Sequence, residues 1–473
     1  MLPKHSKQIF QMKLSNIMKS IQKLTIGLSA LVLMVIVSAC ANLLNVDPVT
    51  TIDGSTDLKS ELSVKVALTG AYDGLSSGFI YGGEQSVYSE LLGDDGEIRF
   101  RGTFAYLGNV WRKQILPLDA SATTTWMNSF STINRANRVL ANIDTLLPED
   151  RNSVRGQALF IRGAVYFELV RFYGKTFGDG NNATNPAVPL ITTPLAAFST
   201  GVITSEDSRT RNSVAEIYAQ VVSDLTTAES LLPATSDGTR ANKAVAAALL
   251  SRVYLMQGDY ANARDAANRV IATNRYTLAP NFIECFREAL PGFSGETIFR
   301  IPVLEQDGAN SLNTYYSATP GGRRDMEVLA KHVALYETGD ARASMFFTSS
   351  GRRLSSKWTD QYGDVPIFRI AEMYLTRAEA NQRLGTEVGA KPLDDINRIR
   401  ARVKLPALTS LTLAAILKER KLELAFEGHL LHDLKRTRSN ISAALPFSAN
   451  NLVFPIPQRE IDVNKNLVQN PGY

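Results

Sequence analysis

The run Ala246-Ala-Ala-Leu-Leu-Ser-Arg-Val-Tyr-Leu-Met-Gln-Gly-Asp-Tyr260-Ala-Asn-Ala263 reads as two helices broken at a turn. Small side chains on the first helix leave room for a second helix to lie close against it. Gly258 can adopt the left-handed conformation that ends a helix, and Tyr260 and Ala263 open the partner. The spacing therefore predicts a helical pair over 242–257 and 260–273. A pair cannot bury its apolar face alone, so it has to stack on others of its kind, as in repeats of about 34 residues of the tetratricopeptide type.

The same theme recurs on both sides. Glu372-Met-Tyr-Leu-Thr-Arg-Ala-Glu-Ala-Asn-Gln-Arg-Leu-Gly385 belongs to a predicted pair over 366–384 and 391–402. Arg162-Gly-Ala-Val-Tyr-Phe-Glu-Leu-Val-Arg-Phe-Tyr-Gly174 closes a helix predicted over 154–173. Trp126, Phe130, Ile133, Ala136 and Leu140 line one face of another at helical spacing. Ser213 with Glu216 three residues on forms a capping-box pattern, and the helix it starts runs to about Leu232, before Pro233. Lys418–Arg436 reads as the last long amphipathic helix. Its Glu419, Glu423 and Glu427 alternate with basic residues, and Arg398-x-Arg400-x-Arg402 is similarly charge-dense, so a solvated, salt-bridged face is expected there. Residues 174–212 read as a long loop with one extended segment at Val188-Pro-Leu-Ile. Residues 276–360 and 440–473 are rich in Pro, Gly, Ser and Asn, with short strand-like runs such as Thr297-Ile-Phe-Arg-Ile301. The fold class is all-α: a tetratricopeptide-like scaffold of helical pairs, mainly 125–275 and 365–436, with a loop-rich, partly irregular inserted region, mainly 80–112 and 276–360.

Charge and leader point to export. The chain of 473 residues has 51 Lys and Arg, 46 Asp and Glu, and a formal net charge of +5. The five lysines of residues 1–39 meet no acid there, and beyond them 46 basic side chains face 46 acidic ones. Such a body does not suit nucleic-acid binding, which concentrates Lys and Arg on one face; its balance suits capture of neutral ligands by stacking and hydrogen bonds. The lysines precede the apolar run Leu24–Val37, which is short for a membrane span and ends in Val37-Ser-Ala-Cys40. This pattern predicts a lipoprotein signal peptide over 1–39, lipidation at Cys40 and a tether over 40–60, before one domain over 61–473. With Cys40 lipidated, Cys285 has no disulfide partner, and it reads as a small buried hydrophobe.

Catalytic signatures are missing. The sequence holds no G-x-S-x-G, P-loop or H-E-x-x-H pattern and no dinucleotide-binding glycine motif after a strand. His429 and His432 have metal-ligand spacing but no third ligand nearby, so no metal or cofactor is expected. Asp94, Asp95 and Glu97, or Glu84 with Glu90, could form a carboxylate pair of the glycosidase kind, a rival reading to simple acid-rich turns. Aromatics in loop-like stretches are the stronger resource: Phe100, Phe104, Tyr106 and Trp111, then Tyr315 and Tyr316 beside Asn313, then Trp358 and Tyr362. A ring plane stacks on the C–H face of a sugar while Asn, Asp and Arg meet its hydroxyls.

Together these features resemble the SusD/RagB family of outer-membrane nutrient-binding lipoproteins of Bacteroidota. The resemblance is carried by Cys40 with Leu43-Leu-Asn-Val-Asp-Pro48, by Trp126-x7-Asn134-Arg-Ala-Asn137 and by Gln157–Gly174. It continues through Phe368–Ala380, Asn397-Arg-Ile-Arg-Ala-Arg402, Glu419–Gly428 and the closing Pro455–Ile461 and Gln469-Asn-Pro-Gly-Tyr473, all in family order. Gly428-His-Leu-Leu-His432 departs in part from the usual pattern. The resemblance implies a non-enzymatic lid on a SusC-like TonB-dependent transporter. That lid captures a glycan, or less commonly an oligopeptide, at the cell surface and hands it on. The implied platform lies in loops near 94–111 and 313–322, with Asp94, Tyr106, Trp111, Asn313, Tyr315 and Tyr316 as the candidate contacts. The alternatives are a periplasm-facing scaffold lipoprotein and a glycoside hydrolase using Asp94 and Asp95.

Overall fold

The computed structural model describes Met18 and residues 58–195, 209–287, 295–318 and 320–473. Apart from Met18, the expected leader, Cys40 and almost all of the tether lie outside the described residues. From Asp57 to Tyr473 the chain forms one unit. Its first helices are α1 (Glu61–Ser76), α2 (Glu84–Gly93), α3 (Ala105–Arg112), α4 (Ala120–Ala141) and α5 (Pro148–Tyr173). Then come α6 (Val214–Leu231), α7 (Lys243–Gln257), α8 (Tyr260–Ala272), α9 (Ser311–Tyr316) and α10 (Ala330–Val333). The last are α11 (Ile370–Leu384), α12 (Pro392–Arg402), α13 (Leu413–Glu423), α14 (Leu430–Arg436) and α15 (Gln458–Val463). Among the described residues no helix is long and apolar enough to cross a membrane.

Local chemistry sets the scaffold boundaries. Ser213 and Glu216 form a reciprocal capping box at the start of α6. Asn242 caps α7 by accepting from the Val245 amide, and Gly258 ends that helix at φ 74°. Asp259 then caps α8. Helices α1, α4, α5, α6, α7, α8, α11 and α12 pack each on the next, which is the stacked helical-pair arrangement the repeats predict. Glycines set the closeness of one contact. A Cβ at Gly163 would sit 3.1 Å from the Leu225 side chain, and one at Gly156 would sit 2.9 Å from that of Leu232, so these leucines pack directly on the α5 backbone. Trp126, Phe130 and Tyr173 pack ring on ring in the core between α4 and α5, with Trp126 fully buried. Each such side chain contributes about 2–3 kcal/mol through burial.

Buried arginine–carboxylate forks join successive layers. Arg162 donates to both oxygens of Asp224 (2.8 and 2.7 Å) across α5 and α6. Arg252 does the same to Glu372 (2.9 and 2.7 Å) across α7 and α11. Arg377 grips Asp395 (2.8 and 2.7 Å) across α11 and α12. The bidentate geometry fixes orientation as well as distance.

The remainder is irregular, as its composition predicts, with six short strands among the described residues: β1 (Ile98–Phe100), β2 (Thr297–Ile301), β3 (Met326–Val328), β4 (Phe346–Ser349), β5 (Arg352–Ser355) and β6 (Val365–Arg369). They pair antiparallel as β1–β3, β2–β6 and β4–β5, with Arg99 opposite Glu327 and Phe346 opposite Ser355.

Four local expectations are corrected. Residues 80–112 are mostly the helices α2 and α3, and α1 is a further helix without a predicted counterpart. The segment Val365–Arg369 is a strand, because its backbone pairs with β2 and the helix starts only at Ile370. Lys418–Arg436 is two helices. Phe426 (φ 66°) and Gly428 (φ 85°) reverse the chain there, and a Cβ at Gly428 would lie 2.7 Å from the Ser86 Cα, so α13 cannot continue past α2. The charged faces of α12 and α13 are not solvated: Arg400, Glu419, Arg420 and Glu423 are all buried. Glu423 and Glu296 lie at the centre of a buried network. Arg402 bridges the two, Arg369 contacts both and also Glu427 (2.8 Å), and Arg342 pairs with Glu419 (2.6 Å) and Asp340 (2.8 Å). Ion-pair desolvation is repaid here only because nearly every charge has several partners.

Candidate functional site

Gly82 and Gly83 bring the start of α2 against α9. Gly83 has φ 128°, and a Cβ there would press on Ser311 and Leu312 at 3.1 Å. This close approach sets Glu84, 5 % exposed, beneath a group of tyrosines. Its Oε1 accepts hydrogen bonds from the hydroxyls of Tyr315 (2.8 Å) and Tyr106 (2.9 Å), and its Oε2 accepts one from Tyr88 (2.5 Å). The Tyr106 and Tyr315 hydroxyls are 3.3 Å apart. Burial raises the Glu84 pKa, and the three hydroxyl donors oppose that rise without cancelling it.

The rings above Glu84 form a surface. Phe104 packs edge-on to Tyr315 (centroids 6.0 Å) and tilted against Tyr106 (5.8 Å), and Phe79 lies 6.3 Å from Tyr106. Phe79, Phe104 and Tyr106 are half-buried, whereas Tyr315 is buried behind them. Hydrogen bonds to a buried carboxylate hold the two tyrosines, so the platform is preorganised and loses little side-chain entropy when something stacks on it. An amphipathic surface of this kind suits a flat molecule with an apolar face and a polar edge.

The structure brings Tyr106 and Tyr315 together and separates the other candidates from them. Trp111 lies five residues beyond Tyr106, about 140° around the helix. Its indole N–H donates to Asp94 Oδ2 (3.3 Å), and both line a cleft of about 590 Å³ with Arg99, Lys113 and Leu329. Asp94 Oδ1 accepts the amides of Glu97 (2.7 Å) and Ile98 (2.8 Å), so this carboxylate holds a turn. Asp95 pairs with Lys331 at 2.8 Å. Asn313 and Tyr316 are fully buried: Asn313 donates to the Trp358 carbonyl (3.0 Å), and Tyr316 packs on Phe426 (centroids 5.4 Å). Neither presents a surface to a ligand. Tyr106 and Trp111 sit on a helix rather than a loop, and Trp358 is buried against Phe286 (5.2 Å).

The remaining titratable groups are built into the scaffold. Glu90 accepts the Gly428 amide (3.0 Å), and burial pushes its pKa up to about 7. His429 and His432 are buried, which holds both well below the usual histidine range and neutral, and His432 packs edge-on to Phe172 (5.0 Å). Burial raises the Cys285 thiol far above its ordinary value. A cavity of about 250 Å³ lies beside α13 and α14, lined by Glu90, Glu97, His332, Phe426 and His429 among others. Two platform members escaped the sequence reading in their present role. Phe79, in Gly78-Phe-Ile-Tyr-Gly-Gly83, is marked only by its flanking glycines, and Glu84 reads there as half of a carboxylate pair rather than as an anchor.

Residues 52–255 match a family model described as SusD-like, starch-binding associating with outer membrane, and residues 339–442 and 437–473 match that of the SusD family. A SusD-like protein P2 from Formosa agariphila is 24% identical over 516 residues, covering 94% of this chain and 98% of its own. The starch-binding protein SusD of Bacteroides thetaiotaomicron is 28% identical over 204 residues, 39% of this chain and 35% of its own. Among solved structures, a putative sugar binding protein from Bacteroides vulgatus superposes with a TM-score of 0.79 at 26% identity, covering 88% of this chain and 100% of that one. A laminarin binding SusD-like protein gives 0.73 at 25% identity, with 88% and 100% covered.

Proposed function

The chain belongs to the SusD family, whose members are binding proteins rather than enzymes, and on that premise we propose that it captures a glycan on the platform of Phe79, Phe104 and Tyr106. The observation that carries this reading is the half-exposed aromatic group anchored on Glu84 through Tyr106 and Tyr315. A sugar ring stacks on such a surface through its C–H face, and tyrosine hydroxyls meet its polar edge. No bond is made or broken. Asp94 and Asp95, the acids a hydrolase would use, are taken up by backbone amides and by Lys331.

The family descriptions associate such proteins with the outer membrane. We extend that to this chain as a lipoprotein acylated at Cys40 after removal of residues 1–39, facing the cell exterior, and delivering its ligand to a SusC-like TonB-dependent transporter. The charge step at the leader and the small residues before Cys40 support the anchor. Protease shaving of intact cells tests the orientation: the chain is cut if it faces outward and protected if it faces the periplasm. Affinity electrophoresis of the full chain against a glycan panel tests the platform. Retardation by at least one glycan, lost in Tyr106→Ala, supports it, and retardation unchanged by that substitution sinks it.

A further inference from the structure

The charge balance beyond the leader conceals a local surplus. Arg99 and Arg101 lie on and beside β1, Arg323 and Arg324 on the turn into β3, and Arg352 and Arg353 on β5. Contacts run among these arginines, beginning at the platform. The Arg323 guanidinium lies over the Phe104 ring, 4.6 Å from its centroid, and donates to Thr103 Oγ1 (2.7 Å). Arg352 donates to the Arg324 carbonyl (3.0 Å), while Arg99 and Arg101 share Glu327 (3.8 and 2.6 Å). Among the described residues only Glu327, and Asp325 at 3.0 Å from Arg323, pair with any of the six, so four positive charges are left over. Arg324 and Arg353 face no carboxylate within 4.0 Å among the described residues. Some surface arginines of the scaffold, such as Arg135, Arg151 and Arg269, each have their own acid, whereas here the unpaired ones gather beside the rings.

We propose that the glycan bound by this protein is anionic, carrying uronate carboxylates or sulfate esters along its length. The inference rests on the glycan reading of the platform. A ring stacked on Phe104 or Tyr106 lies beside Arg323, and the chain extending from it over the two ribbons meets Arg101, Arg324 and Arg353. Guanidinium forks match both carboxylate and sulfate oxygens in pairs. Paired strands hold their backbones in place, so little order has to be imposed when the ligand docks. Arg323 touches a platform ring directly, and exposed charges act together over about 8–10 Å before salt screens them.

The test is isothermal titration of the full chain in detergent against oligogalacturonate and a sulfated galactan oligosaccharide. Each is compared with its neutral parent, made by carboxyl reduction or by desulfation. The charged form is expected to bind about tenfold more tightly than the neutral one, with the gap narrowing as salt rises. Arg324→Gln with Arg353→Gln is expected to narrow the gap while leaving the neutral parent's affinity unchanged. Among the described residues neither side chain pairs with a carboxylate. The arm with the larger gap identifies carboxylate or sulfate as the group read. Equal affinity for charged and neutral glycans overturns the inference and leaves glycan capture standing. Binding of duplex DNA as tightly as the charged glycan also overturns it, since the patch would then be a general polyanion surface. Absence of binding to every glycan, charged or neutral, fails the underlying reading as well.

Discussion

Replacing Glu84 by alanine removes the acceptor shared by three tyrosine hydroxyls. Tyr88 and Tyr315 are buried, so their hydroxyls cannot turn to water; Tyr315 keeps the Tyr106 hydroxyl 3.3 Å away, Tyr88 is stranded, and a stranded donor costs about 1–3 kcal/mol. Tyr106 is half-buried and can rehydrate. Relief of the carboxylate's own desolvation works in the opposite direction. The net expected loss for Glu84→Ala is about 2–4 kcal/mol. Glu84→Gln keeps a carbonyl oxygen for Tyr106 and Tyr315 and costs about 1 kcal/mol at neutral pH. The two proteins also differ in pH dependence. Burial raises the Glu84 pKa in the fold, so the folded state binds the proton more tightly than the unfolded chain does. Wild-type stability is therefore lost as pH rises above the unfolded value near 4.3, and Glu84→Gln lacks that component. Urea denaturation at several pH values between 4 and 7 reads both effects, and glycan affinity reads the platform. If Glu84→Ala matches wild type in stability and in affinity, the carboxylate does not organise the platform and the reasoning fails.

Other outcomes follow from the same physics. Glu423→Ala strips Arg342, Arg369 and Arg402 of a shared partner at a fully buried position, and denaturant titration is expected to show a loss of about 3–5 kcal/mol; a loss under 1 kcal/mol would contradict a buried network. Burial raises the Glu97 pKa, but the hydrogen bond from His332 (2.8 Å) and the charge of Lys421 outweigh it and hold the carboxyl at about 2. Its contribution, roughly 3 kcal/mol, is present above pH 4.5 and lost as pH falls toward 2, so Glu97→Gln should flatten stability against pH in that window.

The helical scaffold was legible because its signals are local. Ser213 with Glu216, Asn242, and Gly258 followed by Asp259 each act within a few residues of themselves, and they fall where the elements begin and end. The charge-dense helices were misread for the opposite reason. Glu419 and Glu423 look the same in sequence whether water or arginine solvates them, and the arginines that decide it, Arg342 and Arg369, come from distant parts of the chain. Helix α3 was missed because nothing local forms it: it has eight residues and no side-chain cap, and Leu107, Gly108 and Val110 order it by packing inward. The candidate site was half legible. Aromatic residues in loop-like stretches singled out Tyr106 and Tyr315, which the fold brings together, but Tyr315 and Tyr316 are adjacent in sequence and point to different environments. One faces Glu84 and the other faces Phe426. The acid beneath the rings lies 231 positions from Tyr315, a pairing that only the fold reveals.

The most direct test is equilibrium glycan binding by the full chain, compared among wild type, Phe104→Ala and Tyr106→Ala. Removing one stacking ring is expected to weaken binding about tenfold, equivalent to ~1.4 kcal/mol, without changing the melting transition of the scaffold helices. Full affinity retained by both variants, with the fold intact, would place the ligand elsewhere and contradict the account.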